Sequence, residues 1–117
     1  MDMMPSGGGG ADSRSYDGFQ KSQLPSEMRP AFGALRQFCM SLGGNVIEDV
    51  RPHRVVFCKS MNTRWFADAK PSDDDPGTII IKIRTGWRDP IRTVRMDRDG
   101  PAREIMDAIA AAYGLVR

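Results

Sequence analysis

The sequence predicts an α+β domain, with a five-stranded antiparallel meander (four strands at least) and N- and C-terminal helices packed on one face. Three observations lead to this fold class. Two segments repeat apolar residues at helical spacing, one near each end of the domain. Between them lie short stretches rich in β-branched and aromatic residues, bounded by Gly, Pro, Asn and Asp. The links between these stretches are too short for a parallel crossover, so neighbouring strands run antiparallel.

The first 25 residues have the composition of a flexible leader. They contain four consecutive glycines, scattered Ser and Asp, and no hydrophobic period. Such a composition buries too little apolar surface to offset the entropy lost on ordering. Only Tyr16, Phe19 and Leu24 would serve there as a short docking segment. We therefore expect a leader over residues 1–25 and the α+β domain over residues 26–117.

The first helix is expected over Glu27–Leu42. Ser26 is a suitable N-cap, Pro30 falls in the first turn, and Gly43–Gly44 supplies the left-handed residue that ends many helices. The last helix begins at Pro101, which suits the first helical position. Its apolar stripe consists of Ile105, Met106, Ile109, Ala112, Tyr113 and Val116.

Five stretches between the helices have the composition of strands. The fourth is the strongest, because it contains four isoleucines. The second is apolar on both faces, as in a central strand, and a turn at residues 60–62 joins it to the third. The expected strands are Asn45–Arg51, Arg54–Lys59, Thr63–Ala69, Thr78–Arg84 and Ile91–Met96.

Composition argues against several classes of protein. No stretch approaches the roughly 20 apolar residues that a membrane-spanning helix needs, and no basic segment followed by an apolar run marks a secretory signal. The two cysteines, Cys39 and Cys58, stand among apolar neighbours and are expected to be reduced. We therefore expect a soluble intracellular protein. Its net charge of +2 permits an anionic partner but is well below that of a dedicated nucleic-acid binder.

Motifs for catalysis or metal binding are missing from the sequence. His53 is the only histidine, and no Cys-x-x-Cys or His-x₃-His spacing predicts a metal site. The acidic run Asp73–Asp75 lacks the alternating ligands of a calcium loop. We expect a non-catalytic protein with no metal and no cofactor. The competing hypothesis, a small enzyme, would need a pocket lined by His53, Cys58 and Asp68.

The sheet face that the helices leave uncovered is the candidate binding surface. Alternation places Ile79, Ile81 and Ile83 against the helices, so Lys82 and Arg84 point to the other face. The same count in the hairpin sends Trp65 and Ala67 inward and Arg64, Phe66 and Asp68 outward. Trp87, in the turn over residues 86–90, would either anchor a partner or fold back over the sheet edge. The candidate binding residues are Arg54, Arg64, Phe66, Lys82, Arg84, Trp87 and Arg95.

A basic face with an aromatic side chain suits several kinds of partner. Another protein or a second copy of the chain comes first, bound through the basic sheet face or an unpaired edge strand. Nucleic acid and acidic phospholipid are the alternatives, since outward Arg and Lys bind phosphates and an aromatic ring stacks on bases. The remaining alternative is a solvated face on which Arg64 and Asp68 pair with neighbours across the strands.

Four short segments carry a family resemblance. They are Val55–Cys58, Arg64–Asp68, Ile91–Met96 and the closing Ala112-Tyr113. Together they resemble a small uncharacterised α+β domain family of bacteria and archaea, found alone or fused to predicted nuclease or transport-related proteins. The resemblance implies helix, antiparallel strands and helix in that order, and no catalytic residues. The element order is also similar to that of the kinase-associated domain of some protein kinases, which implies binding to acidic lipids.

Overall fold

The sheet is an antiparallel meander of five strands in chain order. The computed structural model describes residues 15–84 and 91–116. Within them each strand pairs with its neighbours in sequence, which leaves the first and the last as the two edges. The predicted meander is therefore confirmed. The strands are β1 (Val46–Val50), β2 (Val55–Lys59), β3 (Trp65–Pro71), β4 (Ile79–Ile83) and β5 (Arg92–Met96).

The described residues also form helices on both sides of the strands in sequence. They are α1 (Tyr16–Gln23), a 3₁₀ turn (Ser26–Met28), α2 (Arg29–Ser41) and α3 (Arg103–Leu115). The two helices that the sequence predicts are α2 and α3, so the order of helix, sheet and helix is confirmed. Among the described helices, none is long and apolar enough to cross a membrane.

The helix α1 lies within the segment for which the sequence predicts a flexible leader. Its Phe19 side chain is buried, as is Leu24 just after the helix. The Phe19 ring lies 5.3 Å from that of Phe32 on α2, and the Tyr16 ring lies 6.1 Å from it. At residues 16–24 the structure therefore differs from the expected flexible leader. Three apolar side chains are too few to form a periodic pattern in the sequence, but they pack in the core with α2. The glycine run lies outside the described residues.

One face of the sheet forms the core together with the helices. In β4 the side chains of Ile79, Ile81 and Ile83 are buried, as alternation predicts. Their neighbours on β3 include Ala67 and Ala69, which are small and leave room for α3 to pack against β3 and β4. All five side chains belong to one hydrophobic cluster with α1, α2 and α3.

A β-bulge in β3 changes the faces of two aromatic residues. Cys58 pairs with Trp65, although the register of the preceding pairs would oppose it to Phe66. Phe66 is therefore an extra residue whose side chain is buried, and its ring meets the Tyr113 ring edge-on at 5.3 Å. The prediction that Phe66 points outward and Trp65 inward is wrong, because it assumed strict alternation through the bulge.

Candidate binding surface on the open sheet face

The sheet face opposite the helices, termed the open face, is assembled by the strand register. One row of cross-strand neighbours runs over all five strands: Asp49, Val56, Asp68, Lys82 and Thr93. A second row joins Lys70, Ile80 and Arg95. Neighbouring side chains within a row are close enough to share a ligand, because adjacent strands lie about 4.8 Å apart.

An aromatic–arginine pair lies at one end of the open face. The guanidinium carbon of Arg84 lies 4.8 Å from the centre of the Trp65 ring. The same guanidinium donates two hydrogen bonds to main-chain carbonyls, from Nε to Trp65 at 3.0 Å and from Nη2 to Thr63 at 2.8 Å. These two bonds orient the guanidinium plane against the ring and leave other N–H groups of Arg84 for a ligand.

Two ion pairs hold carboxylates within the open face. Arg54 Nη1 donates to Asp68 Oδ2 at 3.1 Å, and Arg51 donates to Asp49 Oδ2 from Nε at 3.1 Å and Nη2 at 3.0 Å. Asp68 is 8% exposed, and Arg54 is its main polar contact among the described residues. Lys82, next to Asp68 in the register, forms no ion pair with another residue of the ranges 15–84 and 91–116.

A shallow depression of about 260 Å³ lies in the middle of the open face. Three cationic side chains, one carboxylate and three apolar side chains line it: Arg51, Arg54, Lys82, Asp68, Val56, Trp65 and Ile91. Of the apolar side chains that line it, Val56 is buried even though it lies on this face. The depression therefore combines apolar side chains with several cationic ones.

Positive charge exceeds negative charge on the open face. Its cationic side chains are Arg51, Arg54, Lys70, Lys82, Arg84 and Arg95. Its carboxylates are Asp49 and Asp68, and Asp73 Oδ2 of the loop after β3 lies 3.7 Å from Lys70 Nζ. A surplus of one sign on a single face attracts ligands of the opposite sign and speeds their approach. The arrangement is suited to binding an anionic group.

The residues that the small-enzyme hypothesis requires are apart in the structure. His53 is exposed in the turn before β2, where a ring nitrogen contacts Gln23 Oε1 at 3.2 Å, whereas Cys58 lies near the other end of β2. Burial raises the pKa of the Cys58 thiol to about 11, which keeps the thiol protonated near neutral pH. Asp68 is engaged by Arg54. The three residues do not form a common pocket.

Several candidate binding residues of the sequence analysis meet on the open face. Arg54, Lys82, Arg84 and Arg95 lie there, but Phe66 belongs to the core. Arg64 is exposed in the turn before β3, and Trp87 lies outside the described residues. Sequence reasoning missed Trp65 and Arg51. The sequence contains one signal for Arg51, since it lies two residues after Asp49 and would therefore share a face with it. The sequence contains no such signal for Trp65, because its position on the open face depends on the bulge.

Comparisons with known proteins return no relative. No protein-family model matches the chain, and neither a curated protein nor a solved structure matches it. The family resemblance described above stays a prediction from the sequence. Within the described residues no group of three or more His, Cys, Asp and Glu side chains could hold a metal ion.

Proposed function

We propose that this protein is a binding module, without catalysis of its own, that takes an anionic segment of a partner protein on its open face. The Trp65–Arg84 pair beside the cationic depression is the observation that carries the proposal. Tryptophan and arginine are among the residues that are enriched where protein interfaces have most of their binding energy. Here the two stand together on a surface that no described helix covers.

The make-up of the depression supports a protein partner. The centre of an interface is more apolar than its surroundings, and a polar rim surrounds it. The apolar side chains of Val56, Trp65 and Ile91 supply such a centre, while Arg54 and Lys82 supply charged groups around it. A peptide chain can satisfy this mixture, because it offers carboxylates for the cations and apolar side chains for the apolar centre.

The carboxylates of the open face favour peptide over nucleic acid. Asp49 and Asp68 lie in the same row as Lys82 and would repel a phosphate placed over the depression. A protein segment avoids this repulsion, since its N–H groups can face the aspartates while its own carboxylates face Lys82 and Arg84.

Single-stranded nucleic acid is a second candidate, which one observation favours. The Trp65 ring is only half-buried and lies among several cations, and exposed rings in basic grooves stack on bases. An oligothymidylate is therefore a suitable comparison ligand.

Fluorescence anisotropy with a labelled peptide of alternating Glu and Val tests the proposal. We expect the wild-type protein to bind this peptide and to lose affinity as salt rises. Lys82→Ala and Arg84→Ala should each weaken binding by about tenfold, equivalent to about 1.4 kcal/mol. The matched control is Arg103→Ala, which removes the same charge from a side chain on α3 that is 91% exposed.

Three results would contradict the proposal. Absence of binding by the wild-type protein would remove the anionic peptide as a ligand. Equal weakening by Arg103→Ala would show that net charge, and not the open face, governs binding. Tighter binding of the oligothymidylate than of the peptide, with the same loss in Arg84→Ala, would assign the surface to the second candidate.

A further inference from the structure

The last strand of the sheet, β5, is the least buried. Only Met96 is buried there, Val94 is half-buried, and Arg92, Thr93 and Arg95 are exposed. No described residue pairs with the outer side of this strand. An edge of this kind presents unpaired N–H and C=O groups to a further strand.

The hydrogen bonds of the neighbouring strands establish which main-chain groups of β5 point outward. The N–H of Arg84 donates to the carbonyl of Phe66, and the N–H of Ser72 donates to the carbonyl of Thr78. The main chain of β4 therefore points toward β3 at even-numbered positions. Since direction alternates along a strand, the main chain at Ile79, Ile81 and Ile83 points toward β5.

The register then identifies the free groups of β5. The β5 residues opposite these isoleucines are Met96, Val94 and Arg92, and their main-chain groups bond to β4. It follows that the N–H and C=O groups of Thr93 and Arg95 point away from the sheet. The side chains of Thr93 and Arg95 lie on the open face, next to Lys82 and Ile80.

The two edges of the sheet differ in their charged side chains. On β1 the acidic side chains are already engaged, Glu48 by Arg36 and Asp49 by Arg51. On β5 Arg92 faces the helix side and Arg95 the open side, and the strand contains no carboxylate. An incoming strand with acidic residues therefore finds opposite charges on both faces of β5, and such cross-strand pairs are stabilising.

We infer that an extended acidic segment of a partner protein adds to β5 as a sixth strand, by main-chain hydrogen bonds to Thr93 and Arg95. The inference rests on the proposed function, because side chains of the incoming strand would lie on the open face beside Arg95 and near Lys82. A second copy of the chain is a poorer occupant. Pairing two β5 strands brings four arginines together without a carboxylate from either strand.

Amide hydrogen exchange with the Glu–Val peptide tests the geometry residue by residue. Binding should slow exchange at Thr93 and Arg95, whose N–H groups become bonded. Exchange at Val94, already bonded to β4, should change much less. An alternating pattern of this kind distinguishes strand addition from contact by side chains alone, which would leave the Thr93 and Arg95 amides as they are.

A peptide variant isolates the main-chain contribution to affinity. The same Glu–Val peptide, N-methylated at alternate residues, keeps every side chain but loses the donors of one edge. Two such peptides are needed, one methylated at the Glu residues and one at the Val residues. The peptide that loses the N–H groups facing β5 should bind about tenfold less tightly, whereas the other should bind as the parent does. Equal affinity of both for the wild-type protein would overturn strand addition.

A protein variant tests the same contact from the other side. Thr93→Pro removes an N–H that points out of the sheet, at the kind of edge position where proline is tolerated. We expect about tenfold weaker peptide binding, with the circular dichroism spectrum unchanged. Thr93→Val is the matched control, because it keeps the N–H and loses only the hydroxyl. Should Thr93→Pro fail to fold, the exchange and N-methylation experiments on the wild-type protein still show whether the peptide adds to β5 as a strand.

The possible results separate this inference from the proposed function. If the peptide binds and Arg84→Ala weakens it, while N-methylation and Thr93→Pro have no effect, strand addition is overturned and the open-face proposal stands. If the wild-type protein does not bind the unmethylated Glu–Val peptide, the open-face proposal and the strand-addition inference both fail. If sedimentation velocity shows a dimer that Thr93→Pro converts to a monomer, the occupant of β5 is a second copy and the acidic partner is overturned.

Discussion

The guanidinium of Arg84 lies over the Trp65 ring, 4.8 Å from its centre, although 19 residues separate the two in sequence. The contact joins the end of β4 to the start of β3, and two hydrogen bonds to main-chain carbonyls hold it in place. A guanidinium can stack and donate in its plane at the same time, which an ammonium cannot. The pair therefore depends on arginine in particular.

Arg84→Lys should lower the free energy of unfolding by about 1 kcal/mol, because lysine keeps the charge but loses the stacking and one of the two carbonyl contacts. Urea unfolding followed by tryptophan fluorescence in a Trp87→Phe background reports on Trp65 alone. The control, Arg103→Lys on the exposed surface of α3, should change stability by less than about 0.5 kcal/mol. A stability equal to that of the background would show that the contact contributes nothing.

Phe66→Ala and Trp65→Ala should differ strongly in stability despite being adjacent. Phe66 is buried against Tyr113, so its truncation should cost about 3–5 kcal/mol. Trp65 lies half-buried on the open face, so its truncation should cost less and should instead weaken peptide binding. Thermal unfolding of the two variants measures the difference. A larger loss of stability in Trp65→Ala than in Phe66→Ala would contradict the burial of Phe66 in the core.

Gly43→Ala should destabilise the protein by about 1–3 kcal/mol. A methyl group at Gly43 would overlap the Tyr113 hydroxyl, which donates a hydrogen bond to Asn45 Oδ1. The neighbouring Gly44→Ala is a matched control, because nothing lies within 4 Å of the added carbon. Tyr113→Phe combined with Gly43→Ala should recover part of the loss, as measured by urea unfolding. No recovery would mean that the hydroxyl is not the obstacle.

Phe19→Ala should lower the free energy of unfolding by about 3 kcal/mol, since the ring packs against Phe32 in the core. A flexible segment at this position would show no change. Lys21→Ala serves as the control, because Lys21 is on the same helix and its exposed side chain pairs only with Asp17 among the described residues. Chemical denaturation of both variants provides the comparison.

The two thiols should be unreactive in the folded protein. Burial raises the pKa of Cys39 to about 12 and that of Cys58 to about 11, and only the thiolate reacts. A thiol-specific disulfide reagent near pH 8 should therefore modify neither cysteine until denaturant is added. Rapid modification of the native protein would contradict the burial of both side chains.

The same shifts determine a pH dependence of stability. Above the ordinary thiol pKa of about 8.5 the unfolded chain releases these protons while the folded protein keeps them. The free energy of unfolding should therefore fall as pH rises from about 8.5 toward the folded pKa values. Urea unfolding at a series of pH values, compared with a Cys39→Ala/Cys58→Ala variant, isolates the contribution. If the free energy of unfolding falls equally in both proteins, the pH dependence belongs to other groups.

Local patterns predicted much of the fold. The isoleucines of β4 alternate between the core and the open face as a period of two requires, and short links impose antiparallel neighbours. The same alternation predicts the outward positions of Lys82 and Arg84. It fails at Phe66, because a bulge inserts one residue and shifts every face assignment on one side of it. No residue type in Thr63–Ala69 announces that insertion.

The fold class and the order of the strands follow from the amino-acid sequence alone, since periodicity and link length are local properties, and so does the excess of arginine among the strand residues. The aromatic ring that reaches the open face is known only from the folded chain, because a one-residue bulge places Trp65 there and Phe66 in the core. Folding also brings Phe19 onto Phe32, a contact whose energy comes from a partner that lies outside the helix itself. Both depend on packing between segments distant in sequence, which no local pattern contains.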